Sequence, residues 1–438
     1  LFVPRLLSRT LAVTATAALL TLAAAPAHAA ESPWYVTTLR LDTVAPGLTG
    51  DGVTIAVIDG QINTEIPTLK GADLQVQEPS LCYDESGTFD KAGKRLPATT
   101  TDLDTTKPTD HGTNVASMIV GSGAGYDGQQ GVVGVAPGAT VLYYAVYTGL
   151  SESGGIDCLA PDSVTGILPI GEAIDDAIDA GADIISVSID FGGGEDFEKA
   201  IARAFREGVI VVASLPNSSE LQMSGGMPAD ANGTVGVQAA GLDGTVQSTA
   251  GVPNRDVSTD IVAPGLDIMV QGNYNTGRWT DQFAVNGTSL ATPLTAGVLA
   301  LVMEKYPDAT GNQVIQSLIH NTSGEPNHEP VRDPDELIGY GLLSPANLLS
   351  VDPTVYDDVN PLISNDAGYH VPTYDQIFNS TTTEAKPTAE ASPSDPKAAD
   401  TGWIGVLVGI LVGGLVLAGV IVLIIVMVVR KRAAAAKQ

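Results

Sequence analysis

Three short segments carry residue types that together can do acyl-transfer chemistry, and each lies where a regular element begins or ends. Val53-Thr54-Ile55-Ala56-Val57-Ile58-Asp59-Gly60 reads as a buried strand delivering a carboxylate at its C-terminal end, where open α/β sheets build their sites. A strand-end Asp that only caps a turn is the plainer alternative. Asp110-His111-Gly112-Thr113-Asn114 opens an apolar helical run, and Gly112 lets backbone approach closely beside the imidazole. Of the five histidines, His28 falls in the leader, His370 in a polar tail region and His320 and His328 in polar surroundings. His111 alone has motif context, a structural histidine being the alternative. Asn286-Gly287-Thr288-Ser289-Leu290 leads into an apolar stretch, which places Ser289 at a helix start, where N–H groups point outward and the dipole favours negative charge. There the alternative is an ordinary N-cap serine. A hydroxyl, an imidazole and a carboxylate are what nucleophilic acyl transfer needs as attacker, base and orienter.

The elements that must position them alternate in type. Val53 to Ile58, Val141 to Val146, Ile184 to Ile189, Val209 to Ala213 and Thr234 to Ala239 read as buried strands. Gly171 to Ala180 and Asp196 to Glu207 read as helices between them, which predicts an α/β domain with a mainly parallel sheet. No internal repeat interrupts the pattern.

Charge and the chain's outer segments narrow the class. There are 21 Lys and Arg against 50 Asp and Glu, a net charge of −29, which argues against nucleic acid as a partner. Residues 1–29 combine Arg5 and Arg9, an apolar Leu11 to Ala25 stretch and Ala27-His28-Ala29, the pattern of a signal peptide cleaved after Ala29. Residues 403–429 carry no charge and reach about 40 Å as a helix, enough to cross a bilayer. Arg430-Lys431-Arg432 then put residues 430–438 in the cytoplasm by the positive-inside rule. Residues 351–402, acidic and rich in Pro, Ser and Thr, read as an extended stalk, leaving residues 30–350 as the folded unit. The expected product is a single-pass cell-membrane protein with its bulk outside the cytoplasm. Two cysteines, Cys82 and Cys158, in an exported chain favour a disulfide, two free thiols being the alternative.

In the order Asp, His, Ser, the three segments resemble the signature blocks of subtilisin-like serine proteases (family S8). The likeness extends over about residues 45–345, including Gly131-Val132-Val133-Gly134-Val135-Ala136-Pro137, Ala177 to Asp183 and Asp260-Ile261-Val262-Ala263-Pro264-Gly265. The resemblance implies a three-layer domain on a mainly parallel sheet, with Ser289 as nucleophile, His111 as general base and Asp59 as the carboxylate that orients it. It also implies Asn217 as oxyanion donor and Ser188-Ile189-Asp190 as the strand that binds substrate. Asp190 stands where a glycine is common; a carboxylate there would attract a basic side chain or point to solvent. Two further departures appear. Gly60 follows Asp59 where the family has Ser or Thr, and Pro216 precedes Asn217 where the family has Gly.

No cofactor is implied. Calcium is bound by many relatives, but no Asp-x-Asp-x-Asp-Gly loop is present, so acids such as Asp102, Asp104 and Asp110 read as a solvated surface. The short N-terminal extension with Trp34, insertions around Cys82 and Cys158, a Pro-rich stalk and a C-terminal membrane helix together resemble mycosins, the membrane-anchored subtilases of type VII secretion. The function implied is a membrane-anchored extracytoplasmic endopeptidase cleaving exported or surface proteins. The alternative is a weakly active or inactive scaffold component of such a secretion complex.

Overall fold

The computed structural model describes residues 33–82, 95–103, 109–150, 156–157, 169–218, 226–366 and 371–379. Seven strands form one sheet: Thr54–Asp59 (β1), Leu74–Val76 (β2), Thr140–Ala145 (β3), Ile184–Val187 (β4), Ile210–Ser214 (β5), Val235–Ala240 (β6) and Ile261–Pro264 (β7). Their order is β2-β3-β1-β4-β5-β6-β7 and every pairing is parallel. The chain builds outward from β1 in one direction, then returns to its other side through β4. This reversal creates a crevice at the C-terminal end of β1, where Asp59 is the last strand residue.

Burial on both faces explains the near-continuous apolar strands. One face, with Ile55, Val57, Val141, Ile184, Ile210 and Val237, packs against helices Thr109–Val120 (α1) and Thr288–Lys305 (α2). The other, with Ala56, Ile58, Leu142, Ile185 and Val211, packs against helices Ile170–Asp179 and Glu195–Glu207. The second of these buries Phe197, Ala200, Ile201, Ala204 and Phe205, a stripe at helical spacing, and ends on Gly208 at φ 76°. α2 differs: its first fifteen residues, Thr288 to Val302, are all buried, so it is a core helix without a polar face.

The N-terminal extension is bound rather than loose. Tyr35 Oη donates to Val133 O at 2.8 Å and accepts from Val133 N–H at 3.0 Å, while Trp34 Nε1 donates to Asp267 O at 3.2 Å. Glu304 near the end of α2 accepts from the N–H groups of Thr49 and Gly50 at 2.7 and 2.5 Å.

The folded unit extends further than residue 350, into part of the expected stalk. Ile377 is fully buried beside the helix Glu195–Glu207, whose Arg206 donates to the carbonyls of Gln376 and Ile377, both at 3.2 Å. Asp358 accepts from Thr310 Oγ1 at 2.7 Å, and Asn232 exchanges hydrogen bonds with Ser364. Composition suggested a stalk because these segments are polar; they are held by specific side-chain hydrogen bonds and one buried isoleucine, which composition does not register. The signal peptide expected at 1–29, the rest of the expected stalk, the transmembrane helix expected at 403–429 and the expected cytoplasmic tail lie outside the described residues. Among the described residues no helix is long and apolar enough to cross a membrane.

Candidate active site

The strand ends converge on one crevice. β1 ends on Asp59, β4 runs into Ser188, and β5 runs through Leu215 and Pro216 into Asn217. Asp59 is fully buried, and its Oδ1 accepts from His111 Nδ1 at 2.9 Å, from the Gly60 N–H at 2.7 Å and from the Tyr147 hydroxyl at 3.3 Å. His111 lies in the first turn of α1, with 31% of its side chain exposed. Burial alone would depress the imidazole, but the charge and hydrogen bond of Asp59, aided by Asp110, hold its pKa above the usual value. An imidazole bound through Nδ1 keeps Nε2 for the reacting side. Asp110 is almost fully buried; burial raises its carboxyl to about 6 against the opposing pull of His111, and its Oδ1 has no hydrogen-bond partner.

Ser289 is the second residue of α2, before the helix's backbone hydrogen bonds begin, so its N–H has no partner within the helix. Gly265 seats the turn before this helix: its carbonyl accepts from Gly287 N–H at 2.8 Å, and a Cβ on it would come within 2.7 Å of Gly287 O and Ala239 Cβ. Pro293, four residues after Ser289, has no N–H, which leaves the Ser289 carbonyl without its helical donor. Ser188 Oγ supplies one instead at 3.0 Å. The proline thus ties the end of β4 to Ser289. α1 and α2 pack on each other, and no hydrogen bond joins Ser289 to His111 among the described residues. Such contacts often tighten only when substrate is bound.

Asn217 is exposed to the crevice but fixed at both ends. Its Oδ1 accepts from the Thr288 N–H at 3.0 Å, while the Thr288 hydroxyl, 3.2 Å away, gives its one proton to Leu215 O at 2.6 Å, so Nδ2 is the group left to donate. Its carbonyl accepts from Asn254 Nδ2 at 3.1 Å and Gln247 Nε2 at 3.3 Å. A side chain at Gly287 would meet Ser289 Oγ at 3.1 Å and Asn217 Oδ1 at 3.5 Å, so this glycine keeps open the gap between hydroxyl and amide. Pro216 packs its ring on Gly226, where a Cβ would lie 2.9 Å from Pro216 Cγ.

Of the substrate-strand residues, Ser188 and Ile189 are buried and Asp190 is exposed. Cys82 is buried, whereas Cys158 lies outside the described residues. His320 Nδ1 bonds the His328 carbonyl at 2.8 Å near the domain's end, an arrangement separate from the site. Thr288, Tyr147, Gln247 and Asn254 were not legible as site residues. Only Thr288 lay in a motif, and its role depends on a side chain 71 positions away.

The description "Subtilase family" matches residues 50–341. The M-protease of Shouchella clausii is 30% identical over 297 residues, spanning 67% of this chain and 65% of that protein. Subtilisin DY of Bacillus licheniformis is 29% identical over 289 residues, spanning 64% of this chain and 88% of that protein. Among solved structures, fervidolysin from Fervidobacterium pennivorans, described as a keratinolytic enzyme related to subtilisin, aligns with TM-score 0.51 at 24% identity. That alignment covers 73% of this chain and 46% of fervidolysin. A PatG macrocyclase in complex with peptide aligns with TM-score 0.52 at 21% identity, covering 73% of this chain and 98% of the other. These two likenesses establish the fold.

Proposed function

The chain belongs to the subtilase family, and we propose that it is a membrane-anchored, extracytoplasmic serine endopeptidase acting on exported or surface proteins. The observation that carries this reading is the junction at Asn217: its side-chain Oδ1 is held by the Thr288 N–H, which leaves its NH₂ to donate in the crevice where Gly287 keeps space open beside Ser289 Oγ.

A substrate peptide lies along Ser188-Ile189-Asp190 with its scissile carbonyl at Ser289. Ser289 Oγ attacks the carbonyl carbon as His111 takes the hydroxyl proton, and Asp59 stabilises the imidazolium. The negative oxygen is met by Asn217 Nδ2 and the Ser289 N–H. Collapse of the tetrahedral intermediate breaks the C–N bond, and the leaving amine takes the proton from His111. Water, deprotonated by His111, then attacks the acyl-enzyme and releases the acid, restoring the serine.

Anchoring rests on the uncharged run at 403–429 and the basic residues after it, and export on the leader. A disulfide between Cys82 and Cys158 fits an exported chain. The scaffold alternative draws on Gly60, Pro216 and the anchor, and the first two are testable against the fold. Both are accommodated, by Tyr147 and Gly226 respectively, so neither favours loss of chemistry. In the test, the full chain digests an unfolded protein substrate, Ser289→Ala does not, and deleting 403–429 releases active enzyme from membranes. Equal digestion by Ser289→Ala would sink the mechanism, and retention on membranes after the deletion would sink the anchor.

A further inference from the structure

The glycine after Asp59 is matched by an aromatic ring. A Cβ on Gly60 would fall 2.6 Å from Tyr147 Cζ, 2.8 Å from Cε2 and 2.9 Å from Oη. No side chain fits there unless Tyr147 leaves, and Tyr147 is buried in the apolar layer that holds the helix Ile170–Asp179. Its hydroxyl reaches Asp59 Oδ1 at 3.3 Å. Four residues earlier, Tyr143 Oη donates to the Gly60 carbonyl at 2.8 Å. A Cβ on Gly112 would lie 2.0 Å from Tyr143 Oη. Two tyrosines from β3 and its exit therefore grip the Asp59-Gly60 peptide, and two glycines make room for their rings.

We propose that Tyr147 is a positioning residue of the proton relay: its hydroxyl donates to Asp59 Oδ1 and, with the Gly60 N–H, fixes the carboxylate against His111 Nδ1, occupying the place of the side chain that Gly60 lacks. The inference rests on the peptidase reading above. Burial and the Asp59 charge push the Tyr147 phenol well above its usual pKa, so it remains a donor across the working range. The titratable groups facing the pair are His111 and Asp110 from α1 and Tyr143 from β3. Tyr143 spends its proton on the Gly60 carbonyl, leaving Tyr147 and His111 as the side-chain donors to Oδ1.

The sign of the effect follows from sharing one oxygen. A donor on Oδ1 draws off negative charge, so removing it makes the carboxylate a stronger partner for the imidazolium and raises the His111 pKa. In the full chain, Tyr147→Phe keeps the ring over Gly60 and removes only the donor. Its kcat should fall about three- to tenfold, the effect of one net hydrogen bond, with KM little changed and the acid limb of kcat/KM moved to higher pH. The His111 Nδ1–H resonance, titrated by proton NMR in Tyr147→Phe and wild type, reads the same shift without turnover. It therefore separates failure of this inference from failure of the peptidase reading. A midpoint unchanged or lowered overturns the proposal. Gly60→Ser alone drives a Cβ into the Tyr147 ring and should lower the melting temperature. Gly60→Ser with Tyr147→Ala should exceed Tyr147→Ala in kcat, because the serine hydroxyl fills the vacated place; no gain overturns the exchange.

Discussion

The two halves of the site are held by different means. The relay half, Asp59 and His111, is anchored in a buried layer where one carboxylate oxygen collects three donors and the surroundings are tyrosine rings and glycines. The half with Ser289 and Asn217 is anchored from three places: Thr288 beside the serine, Ser188 at the end of β4, and the hairpin that carries Gln247 and Asn254. Each half departs from the family pattern once, at Gly60 and at Pro216, and each is repaired in its own idiom. A ring fills the space beside Gly60; beside Pro216 a glycine yields space, and hydrogen bonds fix the residue that follows. The buried carboxylate gathers its three donors on Oδ1 alone, its Oδ2 being buried without a partner among the described residues, whereas the exposed amide is fixed only in orientation.

Mutations on the two sides should separate these roles. Asp59→Asn leaves an acceptor but changes the imidazole tautomer, and kcat should fall by about 10⁴-fold, measured with a peptide substrate. A loss under tenfold would mean that the buried carboxylate does not govern His111. Asn217→Ala should cost about 10²- to 10³-fold in kcat with KM little changed; a change confined to KM would assign the amide to ground-state binding. Thr288→Val removes the hydroxyl that holds Leu215 O, two residues before Asn217, keeps the backbone donor to Asn217 Oδ1, and should lower kcat about tenfold or less, less than Asn217→Ala. Losses of equal size would show that Thr288 acts elsewhere.

The smallest effect concerns stability. Burial raises Asp110 and Asp256 to about 6 and Asp260 to about 7, the last despite Arg332 at 3.0 Å. These folded carboxyls keep protons that the unfolded chain has released, so folding takes up protons and stability falls as pH rises from about 4 through about 7. The melting temperature should therefore drop between about pH 5 and pH 8 by a few degrees, and Asp260→Asn should flatten that drop. An identical slope in the variant would contradict the assignment.

Much of this was legible in the sequence. The five central strands and two flanking helices were placed within a few residues because both faces of a parallel sheet are apolar. Asp59, His111 and Ser289 stood out because each sits at an element's end inside a motif, whereas Asn217 came only through the family resemblance. The edge strand Leu74–Val76 and the hairpin of strands Ile268–Asn273 and Arg278–Val285 were not anticipated. The first is three residues long, and in the second buried and exposed positions do not alternate regularly. Tyr147 was invisible for a different reason: its role exists only through the absence of a side chain at Gly60, 87 positions earlier.

The central claim is that Ser289 is an activated nucleophile driven by His111. Labelling the folded full chain with a serine-directed phosphonate tests it most directly. The account predicts stoichiometric modification at Ser289, abolished in Ser289→Ala and strongly slowed in His111→Ala. A folded wild-type chain that takes no label, or a Ser289→Ala chain labelled as fast as wild type, would contradict it.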